Sequence, residues 1–414
     1  MEKYIKPSAY NGSITIPGSK SYMQRAVALA LLSENKTLLL KPDFSNDSKA
    51  AMQVAESLGA QVLISENQVA IKPGVHPINK NLFVGESGLG MRMFTPVSAI
   101  FDSEITLSGS GSLLTRPMQL VEQPLTQLGV QVNLNNGYIP VKVKGPIKGG
   151  IAKVDGSISS QFLTGLLIAL PMAKSDSQLL VSDLKSIPYV KMTLDLVKQF
   201  GGHITHTPDF TEFNVKGNTR YKGGTYTVEG DWSSASFHLV GAAIAGKVEV
   251  SGLNPLSHQA DKAILDALMQ CGAYVSIGYE SITVARKNLW GFKFDATDCP
   301  DLFPPLAALA ANCDGVSVIT GISRLAHKES NRALTIQDEL GKLDIRVELL
   351  DYDMIIYGGK ISGGQTQSHH DHRIAMMLAV AALNASEPVE ITDAEAIGKS
   401  YPDFYTHFEL LQVF

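Results

Sequence analysis

The residues of this chain best suited to chemistry are cations and small hydroxyls gathered where helices are expected to begin. Residues 17–30 read PGSKSYMQRAVALA. The Pro-Gly pair ends a short strand, Ser19 or Ser21 can cap the helix that follows, and Lys20 and Arg25 sit on its first turns. Unpaired backbone N–H groups and the positive end of the helix dipole favour an anion there, and two cationic side chains strengthen the preference. Other helix starts add Arg92 behind Gly88 and Gly90, then Ser159, Ser160 and Gln161, then Asp301, then His372 and Arg373. Loops add Arg116 in TRPM, Lys328 and Arg332 in HKESNR, and Lys399 in GKSYPDF. Such a set suits a small substrate carrying phosphate and carboxylate groups, because Arg offers a fork for both and Lys a movable point charge. Singly, each residue has a plainer reading. A Lys or Arg at a helix start is ordinarily solvated, a Ser there is ordinarily a cap, and a lone His is ordinarily structural.

What lifts the set above those readings is repetition. Polar-to-apolar starts recur at Gly18, Glu86, Gly156, Gly230, Cys299 and Ser368, at intervals of 68, 70, 74, 69 and 69 residues by subtraction. Helix ends of the form L-G-x-x-V recur at Gly59, Gly129, Gly201, Gly272 and Asp344, spaced by 70 to 72, and the final LLQVF has the place of a sixth. Two landmarks at one period predict six copies of an α/β unit, each with two helices and several strands. Tyr4–Pro17 reads as a strand with a turn at Asn11-Gly12, followed by a helix, the strand Thr37–Leu40, a helix over Ser48–Leu58 and a hairpin of Gln61–Ile64 with Gln68–Ile71. This order predicts two three-unit domains, 18–226 and a discontinuous 1–17 plus 227–414, with a hinge where the chain crosses near 17 and 226.

Composition narrows the classes. With 414 residues, 44% hydrophobic and 18% charged, the chain is long enough for two or three domains with real cores. A net charge of −5 argues against general nucleic-acid binding but leaves room for a local basic cluster. Cys271, Cys299 and Cys313 show no CxxC spacing, so neither a zinc site nor a disulfide framework is expected. No apolar leader or membrane-length run is visible, and a cytoplasmic protein is expected. His369, His370 and His372 lack companions at metal-ligand spacing, so no metal is expected. GESGLG lacks the dinucleotide register, SGSGS at 108–112 reads as a turn, and there is no Walker A motif.

Nine stretches in order, PGSKSYMQR, GESGLGMR, LLTRPM, SISSQFLTGLL, SIPY, CPDLFP, HKESNR, HDHRIAM and GKSYPDF, together resemble the EPSP synthases of the enolpyruvyl transferase family over essentially the whole chain. The resemblance implies that family's fold, an inside-out α/β barrel of two three-unit domains. It also implies transfer of an enolpyruvyl group from phosphoenolpyruvate to the 5-hydroxyl of shikimate 3-phosphate, with phosphate released, by addition and then elimination. It implies a monomer without cofactor in the shikimate pathway to chorismate and the aromatic amino acids. Carried over by motif, Lys20, Gly88, Arg116, Gln161, Arg332, Arg373 and Lys399 would hold phosphoenolpyruvate. Lys20, Ser21, Arg25, Ser159, Ser160, Gln161, Ser186, Tyr189, Asp301 and Lys328 would hold shikimate 3-phosphate. Asp301, Glu329 and Lys20 would carry the proton transfers.

Two neighbouring readings fit less well. The sister enzyme acting on UDP-N-acetylglucosamine usually has Lys-Asn where this chain has Lys20-Ser21, and a loop cysteine absent here before Cys271. A ring-shaped DNA clamp would expose basic residues along its helices, whereas these helices continue as ALALL, LTGLLIAL and AMMLAVAAL and read as buried.

The chain also departs from the family pattern. Glu86-Ser87-Gly88-Leu89 replaces the common Asn-Ala-Gly-Thr, Ala326-His327 replaces Arg-Val before Lys328-Glu329, and Asn331 replaces an Asp. Glyphosate competes for the phosphoenolpyruvate site in the family. The altered 86–89 loop is expected to lower sensitivity to it, read as an inhibition curve displaced to higher concentration.

Overall fold

The helices that begin the repeats are apolar on every side, and this decides where they lie. In the computed structural model, which describes residues 1–74, 76–157 and 159–414 and only the backbone at His327, twelve helices fall in six pairs. They are α1 (Lys20–Leu31) and α2 (Asn46–Ser57), α3 (Gly88–Ser98) and α4 (Glu122–Gln127), α5 (Gln161–Ala169) and α6 (Ile187–Gln199), α7 (Trp232–Ala245) and α8 (Ile264–Gln270), α9 (Phe303–Ala311) and α10 (Arg332–Gly341), α11 (His372–Ala381) and α12 (Phe404–Leu411). In α1, Met23, Ala26, Val27, Ala28, Leu29 and Ala30 are all fully buried. The same holds along α5, α9 and α11, as expected of helices with no polar stripe. The second helix of a pair is amphipathic: α2 buries Ala50, Ala51, Val54 and Ala55 and exposes Lys49 and Gln53.

The chain folds into two compact units, Gly18–Val228 and Met1–Pro17 with Glu229–Phe414. Each holds three sheets of one design: a parallel pair, then antiparallel partners. In the first unit Thr225–Thr227 runs parallel to Thr37–Leu40, which pairs antiparallel with Gln68–Lys72, and that with Gln61–Ser65. Asn81–Phe83 and Gly150–Asp155 open the other two sheets in the same way. The first sheet therefore takes its opening strand from the end of the unit.

The second unit does likewise. Residues 4–17 form two strands in different sheets rather than one strand turning at Asn11-Gly12. Ala9–Thr15 runs parallel to Gly246–Ser251, and Lys3–Ile5 closes the sheet of Gly364–Gln367 and Val389–Thr392. Gly12 lies inside the longer strand at φ +135°, so its glycine serves strand conformation and not a hairpin. Residues 108–112 end one strand and lead into a short 3-10 turn, Gly111–Thr115.

The second landmark has a backbone cause. Gly59, Gly129, Gly201 and Gly272 take φ of +105°, +82°, +85° and +93°, each just past the second helix of its pair. Each is followed by an N–H that reaches back to the helix: Ala60 to Ala55 O (2.9 Å), Val130 to Leu125 O (2.9 Å), Gly202 to Val197 O (2.8 Å) and Ala273 to Leu268 O (3.0 Å). These are left-handed helix stops. In the fifth copy Asp344 adopts φ +65° and Ile345 N–H reaches Leu340 O at 3.0 Å, so the stop survives without glycine. The sixth helix instead runs straight into the strand Gln412–Val413.

These stops are unequal under substitution. A Cβ at Gly59 would collide with the His76 carbonyl as well as strain the backbone, so Gly59→Ala should cost more than about 1 kcal/mol. Asp344→Gly relieves a left-handed non-glycine residue but loses the bond from Ser362 Oγ (2.5 Å), and should stay within about 1 kcal/mol of wild type. Urea unfolding of both variants measures the contrast.

Candidate active site

In the unit 18–228 the capped helix starts set the cations. Ser19 caps α1, its side chain accepting from Tyr22 N–H, and this places Lys20 at the first helical position. Lys20 Nζ lies 3.2 Å from Asp47 Oδ2 on the first turn of α2. Arg25 is almost wholly buried and ties three helices together. Its guanidinium donates to Thr193 Oγ1 (2.9 Å), to Ser21 O (2.8 Å), and more distantly to Thr164 Oγ1 and Tyr189 O (each 3.4 Å). Burial pushes its pKa down to about 10. Ser186 precedes α6 in a left-handed conformation, φ +57°, and is buried. Ser159 Oγ accepts from Gln161 N–H at 3.2 Å, an added cap on α5 beside Ser160.

A second group forms where α3 starts. Arg92 donates to Gln161 Oε1 at 3.0 Å. A Cβ on Gly88 would stand 2.7 Å from Arg116 Nη1, 3.5 Å from Arg92 Nη1 and 3.6 Å from Gln161 Oε1. The bare glycine is what lets both guanidinium groups come up to the helix start. Arg116 also donates to Ser112 Oγ at 3.1 Å.

The other unit, 1–17 with 229–414, assembles Asp301, Lys328, Glu329, Arg332, Arg373 and Lys399 into one network. Arg332, fully buried at the first position of α10, is its centre. Its Nη1 donates to Asp301 Oδ1 (2.8 Å), its Nη2 to Glu329 Oε2 (2.6 Å), and its Nε to Asp371 Oδ2 (2.8 Å). Lys328 and Arg373 reach Asp301 at 3.1 Å each, and Lys399 lies 3.6 Å from Glu329 Oε1. Burial alone would raise the Asp301 carboxyl. Arg373, Lys328 and Arg332 outweigh burial and hold it well below the usual carboxylate range. Burial opposes the charge on Arg332, but Asp371, Glu329 and Asp301 more than restore it and raise its pKa. Lys328 is lowered, chiefly by burial. Four cations thus face three carboxylates in one small volume, a site with charge to spare for an anion and carboxylates able to exchange protons.

Comparison with known proteins fits this geometry. The model of the EPSP synthase family, described as EPSP synthase (3-phosphoshikimate 1-carboxyvinyltransferase), matches residues 5–408. The chain belongs to the EPSP synthase family. Proteins named 3-phosphoshikimate 1-carboxyvinyltransferase from Clostridium novyi and Clostridium perfringens (strain SM101) are 35% and 36% identical to it, over 98% of this chain and 96% and 97% of theirs. A solved EPSP synthase from Acinetobacter baumannii superposes with a TM-score of 0.85 at 26% identity, covering 99% of this chain and 98% of that one.

Within this family frame, several carboxylates escaped the sequence reading. Asp371 is fully buried, clamps Arg332, accepts from Ser330 Oγ (3.1 Å), and caps α11 through Arg373 N–H (3.0 Å). Asp47 pairs with Lys20, and Asp261 is buried beside Ser233. The one available signal was the Asp at a helix start in HDHR and in SNDSK. The 86–89 departure also acquires a physical account. Ser87 caps α3 by accepting from Gly90 N–H (3.0 Å) and donates to Gln24 Oε1 (2.9 Å). The Glu86 carboxylate packs over Gly111, whose φ of +57° and missing Cβ make the room.

The three neighbouring histidines go to different carboxylates. His369 Nε2 is 2.6 Å from Glu339 Oε1, His370 lies 3.6 Å from Asp393, and His372 is buried behind Asp371. Asp338, Glu339 and His369 place ligand atoms within 4.8 Å of one another. A cation already sits among them, since Lys342 Nζ is 2.6 Å from Glu339 and 3.1 Å from Asp338.

Removing one partner of a buried pair strands the other charge. Asp371→Ala should therefore cost about 3–5 kcal/mol by leaving Arg332 underpaired, and much more than Glu329→Gln, whose side chain is 12% exposed. Urea unfolding at neutral pH checks the ranking.

Proposed function

We propose that this chain transfers the enolpyruvyl group of phosphoenolpyruvate to the 5-hydroxyl of shikimate 3-phosphate, giving 5-enolpyruvylshikimate 3-phosphate and phosphate. The observation that carries the reading is the bridging of Asp301 and Glu329 by one buried guanidinium, with Lys328, Arg373 and Lys399 around them. Phosphoenolpyruvate brings a carboxylate and a phosphate, and shikimate 3-phosphate brings a second phosphate. Lys20, Gly88, Arg116, Gln161, Arg332, Arg373 and Lys399 are assigned to the first substrate. Lys20, Ser21, Arg25, Ser159, Ser160, Gln161, Ser186, Tyr189, Asp301 and Lys328 are assigned to the second. We place the reaction in the cytoplasm and assign it to a monomer; among the described residues no helix is long and apolar enough to cross a membrane.

The chemistry follows from proton balance. In addition, the 5-hydroxyl O–H breaks, its oxygen bonds to C2 of phosphoenolpyruvate, and C3 gains a proton. In elimination, C3 returns a proton, the C2–O bond to phosphate breaks, and the C2–C3 double bond reforms. Asp301 is assigned to the hydroxyl proton. Glu329 is assigned to the proton at C3 in both directions, with Lys20 assisting as an acid. In the free protein, cations beside both carboxylates favour their ionised forms. When substrate anions draw those cations away, Asp301 becomes a stronger base and Glu329 can hold the proton it must deliver. Holding both substrates together supplies a large further share of the rate.

Asp301→Asn and Glu329→Gln should each lower kcat by about 100-fold or more, while shikimate 3-phosphate still binds by calorimetry. Near-normal turnover in both would refute the role assignments. Phosphate release from phosphoenolpyruvate that requires shikimate 3-phosphate tests the reaction itself. Release only with UDP-N-acetylglucosamine would assign the chain to the sister activity.

A further inference from the structure

Of the six repeat starts, the fourth contributes none of the groups assigned above. It reads GDWSSASF, and Asp231 caps α7 by accepting from Ser234 N–H at 2.8 Å. On the first turn of that helix Ser233 Oγ donates to Asp261 Oδ2. Asp261 is 1% exposed and lies on a 3-10 turn, Ala260–Ala263, that packs against α7. The turn Pro300–Leu302, which carries Asp301, packs against the same helix. Two carboxyls from different turns are thereby brought to one helix start.

We propose that Asp261 is a positioning residue that tunes Asp301 from behind: ionised, it strengthens Asp301 as the acceptor of the substrate hydroxyl proton, and protonated, it leaves Asp301 weak. This rests on the functional reading above. The charge balance shows why such a group has an effect. The network around Arg332 has four cations and three carboxylates, and Asp261 is the fourth carboxyl within its field. The groups that face it are Asp301, Arg373, Ser233 and Asp231. Burial first, then the Asp301 charge, push its pKa up to about 7, against opposing pulls from Arg373 and the Ser233 hydroxyl. The negative field reaches a neighbour as well. Burial pushes the Cys299 thiol up, and Asp261, Asp298, Asp295 and Asp301 push it further. A carboxyl that changes charge near neutrality beside Asp301 must shift the basicity of Asp301 in step, because like charges raise one another's affinity for protons.

The test compares wild type, D261N and S233A. Asparagine matches the neutral acid in shape, so D261N should fold. Wild-type kcat should rise about tenfold from pH 6 to pH 8, and D261N by less than about twofold. S233A removes a bond that favours the ionised carboxyl, so its rise should move to higher pH. A merely structural residue would change KM or yield and leave the rise in place. A second arm needs no activity. The folded pKa of Asp261 lies above its unfolded value, so its stabilising share is complete below about pH 4 and is lost as pH climbs to about 7. The melting temperature of D261N minus that of wild type should therefore grow across that window. In a D301N background, without the Asp301 charge, the window should move to lower pH. Retention of the wild-type rate profile in D261N, or a melting difference that does not move in D301N, overturns the proposal. If wild type releases no phosphate with shikimate 3-phosphate, the functional reading fails by itself, and the melting arm still decides whether Asp261 and Asp301 are coupled.

Discussion

One guanidinium sets the geometry of half the candidate site. Arg332 is fully buried, and a buried charge persists only where its donors are met. Its three nitrogens meet three carboxylates from three places: the turn before α9, the residues just ahead of α10, and the start of α11. Because the fork is planar and rigid, fixing it against Asp371 also fixes where Asp301 and Glu329 can lie. A lysine here would supply the charge without the geometry. Arg25 has the corresponding part in the other unit, holding α1, α5 and α6 in register through hydroxyl and carbonyl acceptors rather than carboxylates. That difference leaves Arg25 with pKa lowered and Arg332 with pKa raised.

The repeated architecture explains why polar chemistry collects at helix starts. The first helix of each pair is buried along its length, so a charged side chain finds solvent or a partner only at its end. Each such end carries unpaired N–H groups that need acceptors. Ser19 and Ser87 supply them in one unit, and Asp231 and Asp371 in the other. The acidic caps have a second use. Asp371 turns its remaining acceptor capacity onto Arg332, so the cap and the ion pair share one side chain. Each unit also borrows the opening strand of one sheet from a distant part of the chain, Thr225–Thr227 in one and Ala9–Thr15 in the other.

The period, the buried first helices and the cations at their starts were all legible in the residues, because each depends on local spacing. The glycine landmark proved to be a helix stop with a backbone cause, and Asp344 occupies the same left-handed position without glycine's freedom. What could not be read was which acids lie against which bases. Asp47, Asp261 and Asp371 look like ordinary helix-start residues, and only the tertiary fold puts them beside Lys20, Ser233 and Arg332. The Asn11-Gly12 pair misled for a related reason. It has the composition of a turn, but the pairing of Ala9–Thr15 with Gly246–Ser251 holds it extended. Glu86 looked like an acid set into an anion site, whereas its carboxylate is laid over Gly111 on a neighbouring loop.

The ion pairs of the free protein are best understood as placeholders in the proposed reaction. Asp301 and Glu329 neutralise cations that would otherwise repel one another at close range, and side-chain exposures of 24% and 12% leave both within reach of a ligand. An incoming phosphate or carboxylate offers those cations an alternative anion. The exchange replaces one charge-assisted bond by another, so its net cost is small compared with making a buried cation site from nothing. Its consequence for chemistry is larger than its cost. Each carboxylate that surrenders a cation regains proton affinity, and it does so only when substrate is present. Basicity in the proposed site is therefore generated by binding, and Asp371, fully buried, keeps the Arg332 fork in place while its other two partners change theirs.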